Sequence, residues 1–269
     1  PEAELMAVLK HVRFATMEEG FLRDTVRAWP VLLSAEGQGV LTVSVAPVVG
    51  GVQPLLRLGF GPRRIYLVGG YKSGAGGVST VLAYDPVLAS WCEVASMATG
   101  RYAHGAAALG GKLYVMGGAG GGDTTLDQAE VYDPKADSWQ PLPSMPTARS
   151  FLAAVTVAGK IYAIGGIGVD DEICNAVEAY DPVSAAWTCV ASLPVGGCFH
   201  TATVVGGKIY VLGGLWFDSD DDGLNDGLGP MDNPHDVVAR DRVDVYDPAA
   251  DSWQQMAAMP TARFSHAAA

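Results

Sequence analysis

The sequence predicts an all-β propeller preceded by a short α-helical segment, and three observations carry that prediction. Double glycines fall at Gly69-Gly70, Gly117-Gly118, Gly165-Gly166 and Gly213-Gly214, each 48 residues after the last. A Tyr-Asp-Pro triplet recurs at Tyr84, Tyr132 and Tyr180 on the same step, then at Tyr246 after 66 residues. A tryptophan follows each of these tyrosines by seven residues, at Trp91, Trp139, Trp187 and Trp253. Markers that stay in phase over a fixed period signal stacked structural units, each too small to bury its own apolar faces. The longer last step puts an insertion of 18 residues (66 less 48) between Gly214 and Tyr246.

From the N-terminus, Glu2 to Phe14 reads as an amphipathic helix, with Leu5, Val8, Leu9 and Val12 on one face. Thr16 and Glu19 form a capping box that opens a second helix through about Val26. Residues 1–32 are therefore the helical segment. Residues 33–60 read as an irregular linker, because Gly37, Gly39, Pro47, Gly50, Gly51 and Pro54 interrupt any periodic pattern.

The repeats occupy 61–98, 99–146, 147–194 and 195–260, and 261–269 opens a fifth. Within one unit, Arg101 to Leu109 is small and apolar, suiting a crowded inner strand. Lys112 to Met116 is a short continuous apolar run, the pattern of a strand buried on both faces. Glycine after it permits positive φ and close backbone approach. Glu130-Val131-Tyr132 alternates like a half-buried strand, Asp133-Pro134 starts a turn, and Ser138 to Leu142 returns as the outer strand. Trp139 is expected to pack against the following blade.

Net charge is −12, and between Trp216 and Asp247 ten aspartates face only Arg240 and Arg242. Such a field repels nucleic acid and anionic membrane, so neither is an expected partner. The weakly polar run from Leu41 to Val52 is too short to cross a bilayer. Cys92, Cys174, Cys189 and Cys198 show no CxxC or metal-ligand spacing, which fits free thiols in a reducing, cytoplasmic compartment. Opening on Pro1 and stopping inside a repeat, the chain reads as a fragment.

The glycine pair, the Tyr-Asp-Pro and the spaced tryptophan resemble the kelch repeat, whose period is near 50 residues. A further mark of that family, an arginine opening the inner strand, stands at Arg101, Arg149 and Arg263, with Gly197 in the remaining unit, where a looser blade junction is expected. Leu9 to Phe14, with Met17 and Phe21-Leu22, is similar to the BACK segment that joins BTB domains to kelch propellers. The resemblance implies a ring of six blades, of which four are present. Closure would pair the Thr261–Ala269 strand with Ile65–Val68; an open arc is expected instead. It also implies a substrate-recognition adaptor of a cullin-RING ubiquitin ligase, in which a BTB domain outside this sequence binds the cullin and the propeller holds a client protein. Two other readings stay open: a scaffold kelch protein binding actin or another partner, and a carbohydrate-active kelch enzyme.

Connectivity locates one edge of the propeller. It displays the residues after each glycine pair (Tyr71, Ala119, Ile167, Leu215) and those after the arginine position (Tyr102, Ser150, Cys198, Phe264). In the BTB-BACK-kelch family this edge holds substrate peptides. Tyr71, Tyr102, Ser150, Ile167, Cys198, Leu215 and Phe264 are accordingly the candidate binding residues, since exposed aromatics suit protein recognition. His104, His200 and His266 share one repeat position, but Leu152 breaks the set, and a structural role is expected rather than a metal ring. No nucleophile–base arrangement is legible, so no enzyme activity and no organic cofactor are expected. Asp218, Asp220, Asp222 and Asp226, with Gly223 between, follow the alternation of a calcium loop, but position twelve is Gly229 in place of the bidentate glutamate. Calcium there competes with a plain solvated acidic loop.

Overall fold

The computed structural model describes residues 64–86, 88–216 and 238–266, together with the strands Thr42–Ser44 and Leu55–Gly59. The expected helices within residues 1–32, and the loop carrying Asp218 to Asp226, lie outside the described residues. Among the described residues, four antiparallel sheets of four or five strands follow one another along the chain, with two short two-stranded pairs, Tyr71–Lys72 with Gly76–Gly77 and Leu215–Trp216 with Val238–Ala239, in the loops. Blade one pairs Leu55–Gly59, Arg64–Val68, Val81–Asp85 and Ser90–Val94 in that order, with Thr42–Ser44 added beside Leu55–Gly59. Blade two contains Gly105–Leu109, Lys112–Met116, Ala129–Asp133 and Ser138–Leu142. Blade three contains Ala153–Val157, Lys160–Ile164, Val177–Asp181 and Ala186–Val190, and blade four Thr201–Val205, Lys208–Leu212, Val243–Asp247 and Ser252–Gln255. Each is an up-and-down meander, the blade of a β-propeller.

The inner strand of blade one corrects the expected linker. Leu55–Gly59 pairs with Arg64–Val68 over five residues, although it falls inside the stretch read as irregular. Its apolar residues Leu55, Leu56 and Leu58 are a short run between Pro54 and Gly59, and the surrounding glycines and prolines hid it. That pairing also occupies the place beside Ile65–Val68 that a closing strand would take.

The core lies between blades, not within them. Tyr66, Val68, Val81, Ala83 and Met97 of blade one meet Ala106, Leu113, Val115 and Tyr132 of blade two. Tyr162, Ile164, Val177 and Leu193 of blade three meet Ile209, Val211 and Tyr246 of blade four in the same way. Side chains alternate across each strand, so each sheet gives one apolar face to each neighbour. Fully burying one such side chain stabilises by about 1.5–3 kcal/mol.

Tryptophan direction is a second correction. Trp139 Nε1 donates to the Ala95 carbonyl at 2.7 Å, Trp187 Nε1 to Pro143 at 2.8 Å and Trp253 Nε1 to Ala191 at 2.8 Å. Each indole thus reaches back to the preceding blade, not forward to the following one. Its neighbour within the blade is the triplet tyrosine, as for Tyr132 and Trp139 with centroids 5.2 Å apart. The tyrosine face of the sheet looks backward, and the indole must share that face.

Glycine pairs stand where the next blade comes closest. A Cβ on Gly165, whose φ is +56°, would sit 2.5 Å from the Gly197 carbonyl oxygen and 2.7 Å from His200 Cε1. The second glycine of each pair sends its N–H across the seam: Gly70 to Arg101, Gly118 to Arg149, Gly166 to Gly197 and Gly214 to Arg263, at 2.8–2.9 Å. Nearer the axis, the Phe151 N–H donates to Ala103 at 2.7 Å, Phe199 to Phe151 at 3.3 Å and Ser265 to Phe199 at 2.9 Å. One repeat position is therefore hydrogen-bonded to its own copy from blade to blade.

Candidate functional site

The arginine that opens each inner strand organises the candidate edge. Arg101 is fully buried, with Nη1 donating to the Gly117 and Gln128 carbonyls at 2.9 Å and Nη2 to Glu130 Oε1 at 2.6 Å. Arg149 makes the equivalent contacts with the Gly165 and Ala176 carbonyls and with Glu178. Each guanidinium ties the end of the second strand to the third and neutralises a carboxylate that could not stay buried alone. In blade four the arginine position is Gly197, and Arg242 compensates. It holds Asp244, the equivalent carboxylate, through Nε at 2.5 Å and Nη2 at 2.9 Å. That pair serves blade four internally and leaves the seam to blade three without a carboxylate bridge of this kind among the described residues.

Immediately after the arginine position the chain bridges the residue that follows the glycine pair. The bridges are Tyr102 to Ala119, Ser150 to Ile167 and Cys198 to Leu215, so these residues do share one edge. Their exposure is uneven. Tyr71 is 37% and Phe264 47% exposed, and Tyr102 is half-buried, whereas Ser150, Ile167, Cys198 and Leu215 are buried. The four buried residues are corrected from binding residues to the support beneath the edge. Ile167, Cys198 and Leu215 pack in a small cluster with Phe151, Ile173 and Phe199, because the loop after the glycine pair folds back over them. Burial pushes the Cys198 thiol up to about 12, which leaves it protonated and unreactive.

Two aromatic pairs remain accessible. Tyr71 and Tyr102 meet edge-to-face with centroids 5.1 Å apart, and Tyr102 donates its hydroxyl proton to Asp123 Oδ1 at 2.7 Å. Burial first, and the Asp123 hydrogen bond second, push the Tyr102 phenol well above its ordinary range, so it acts as a fixed donor. Phe151 and Phe199 stack with centroids 4.2 Å apart and are each half-buried. Both adopt left-handed backbone, φ +53° and +54°, the conformation that aims their N–H groups at the preceding blade. Sequence reasoning missed this second pair because it took the residue one place earlier, Ser150 and Cys198, as the exposed position.

Histidines at the shared repeat position are packed, not clustered. His104 and His200 are buried, with Cε1 against the site of a Cβ on Gly69 and on Gly165, each in a different seam. Among the described residues no three His, Cys, Asp or Glu side chains come together to hold a metal ion.

Residues 58–214 match the family model of the KLHDC2/KLHL20/DRC7 Kelch-repeats domain, which is more than half of the chain. The chain belongs to the kelch-repeat family. The kelch match begins inside the Leu55–Gly59 strand, in agreement with its place in blade one. The solved structure of YjhT superposes with a TM-score of 0.65 over 86% of this chain and 84% of that one, at 16% identity, a likeness of fold. A search of curated proteins gives no match. No helix among the described residues is long and apolar enough to cross a membrane.

Proposed function

We propose that this kelch propeller binds a protein client on the edge carrying Tyr71, Tyr102, Phe151 and Phe199, as the substrate-recognition part of a cullin-RING ubiquitin ligase. The observation that carries the binding site is the pair of accessible aromatic contacts, one locked by the Tyr102–Asp123 hydrogen bond and one by the αL backbone of Phe151 and Phe199. Rigid rings bury large area at low entropic cost and are favoured anchors. The ligase role is supported by the similarity of Leu9 to Phe14, Met17 and Phe21-Leu22 to a BACK segment, which would connect the propeller to a BTB domain and through it to cullin. In this reading the propeller supplies binding in a cytoplasmic complex, and ubiquitin transfer belongs to other subunits.

The test is client capture from cells with the protein bearing its natural upstream sequence, followed by affinity measurement at matched folded fraction. Tyr71→Ala with Tyr102→Ala should weaken the client by about 2 kcal/mol, roughly 30-fold in Kd. Val183→Ser, at a fully exposed turn of the opposite edge, should leave it unchanged. Equal loss from both changes would remove the binding edge. Recovery of the client without cullin would remove the ligase role and keep the edge.

A further inference from the structure

Carboxylates that recur from blade to blade are each matched by donors, except on the candidate edge. Glu130 and Glu178 are held by Arg101 and Arg149, with Thr147 Oγ1 also donating to Glu178 at 2.7 Å, and Asp244 is held by Arg242. At the opposite edge Lys112 pairs with Asp133 at 3.1 Å, Lys160 with Asp181 at 3.5 Å and Lys208 with Asp247 at 2.9 Å. The turn aspartates there, Asp137 and Asp251, each accept a backbone N–H and a tyrosine hydroxyl. The loops after the glycine pairs are different. Across residues 69–80, 117–128 and 165–176, five acids (Asp123, Asp127, Asp170, Asp171 and Glu172) stand against Lys72 alone.

Asp123 and Asp171 hold the same place in successive blades, each closing a short 3-10 turn (Gly121–Asp123 and Val169–Asp171) at φ +58°. Asp123 has the Tyr102 phenol as a donor at 2.7 Å. In the next blade the counterpart of Tyr102 is Ser150, which is buried and carries no phenol. Asp171 and its neighbour Glu172 are exposed, and among the described residues no hydrogen-bond donor or cation reaches either carboxylate. These two adjoin the second aromatic pair. Ile173, the next residue, bridges to Ile167 and packs in the cluster with Phe151 and Phe199. Those rings are half-buried with centroids 4.2 Å apart, and backbone bonds tie them to Ala103 on one side and Ser265 on the other.

Stacked rings beside unmatched negative charge complement one kind of group, a flat cation. A guanidinium can lie on an aromatic face and still offer N–H donors at its edge to carboxylates; an ammonium does this less well, and a neutral or anionic group lacks the charge. We infer that the client is anchored here by an arginine, its guanidinium on the Phe151–Phe199 rings and its N–H groups toward Asp171 and Glu172. This rests on the proposed binding edge and adds the chemistry of the residue that the edge recognises.

Selection of random peptides displayed on phage, with the full chain as bait, tests this. Peptides whose binding is lost with Tyr71→Ala and Tyr102→Ala should be enriched in arginine over the starting library. In a synthetic peptide of the commonest such sequence, replacing that arginine by citrulline, its neutral isostere, should weaken binding about tenfold at low salt. Lysine there should bind more weakly than arginine. Asp171→Asn with Glu172→Gln should bind the arginine and citrulline peptides alike at an unchanged thermal midpoint, because both side chains are exposed and asparagine tolerates the αL backbone. Asp133→Asn with Asp181→Asn, which removes the same charge from the opposite edge, should keep the discrimination. Edge-dependent peptides without arginine enrichment would overturn the inference and leave the binding edge standing. So would a lysine or citrulline peptide as tight as the arginine one, or equal loss of discrimination in both double variants. A library that yields no edge-dependent peptide would remove the edge and this inference together.

Discussion

Replacing His200 by leucine, the residue its counterpart Leu152 already is, isolates the effect of burying a titratable ring in a seam. Burial pulls the His200 pKa down from 6.5 to about 4, with the charges of His266 and Arg149 acting in the same direction against backbone hydrogen bonds. The folded protein therefore holds His200 neutral while the unfolded chain protonates it. The stability this contributes is fully present above about pH 6.5 and is lost as pH falls toward 4. From pH 7.5 to pH 5 the loss should be about 2 kcal/mol through this residue. Urea unfolding at the two pH values should show that loss in the parent and a smaller one in His200→Leu. An unchanged pH dependence would place the acid sensitivity elsewhere.

Strands and turns carry a compensation of a different kind. At the tight turn before each outer strand the fourth residue is αL: Ala89, Asp137, Ala185 and Asp251, with φ between +47° and +51°. Asp137 accepts the Ala95 N–H and the Tyr132 hydroxyl, and Asp251 accepts the Ala191 N–H and the Tyr246 hydroxyl. Those hydrogen bonds, the Ala95 amide first for Asp137 and the Tyr246 hydroxyl first for Asp251, hold both carboxyls below the ordinary range. Between blades two and three the amide position is Pro143, which has no N–H, and the turn residue is Ala185. The pair should therefore couple. In a double-mutant cycle, Pro143→Ala and Ala185→Asp together should exceed the sum of the single changes by about 0.5 kcal/mol. A coupling indistinguishable from zero would show that the two positions vary independently.

At the scale of the molecule, whatever repeats was legible in the sequence and whatever depends on the angle between neighbouring sheets was not. The glycine pairs, the Tyr-Asp-Pro turns and the apolar second strands follow from local chemistry, so four copies in phase suffice to place them. Trp139 was assigned to the wrong neighbour because alternation along a strand gives two faces and no arrow from one blade to the next. Connectivity puts Ser150 and Cys198 at the edge, whereas their burial depends on how the Ile173 loop returns. Gly197 marked a departure correctly, but its partner in compensation, Arg242, lies 45 residues on (242 less 197) and is recognisable only once Asp244 is seen beside it. Leu55–Gly59 escaped notice since a single short run among glycines has no copy in phase to mark it.

The glycine amides that cross each seam turn the row of blades into a set of independent isotope clocks. Gly70, Gly118 and Gly166 make chemically identical bonds in three successive seams, so differences in their deuterium uptake measure seam opening rather than local chemistry. The third seam has neither a threonine nor an arginine across it, since Val195 and Gly197 stand in their places. Its Phe199-to-Phe151 bond is 3.3 Å against 2.7 Å for Phe151-to-Ala103, and Gly197-to-Cys174 is 3.4 Å against 3.0 Å for Arg149-to-Leu126. Gly166 should exchange faster than Gly118 under native conditions, and the molecule should part first into a three-blade piece and a one-blade piece. Uniform protection of the glycines would mean that all the blades unlatch in a single cooperative event.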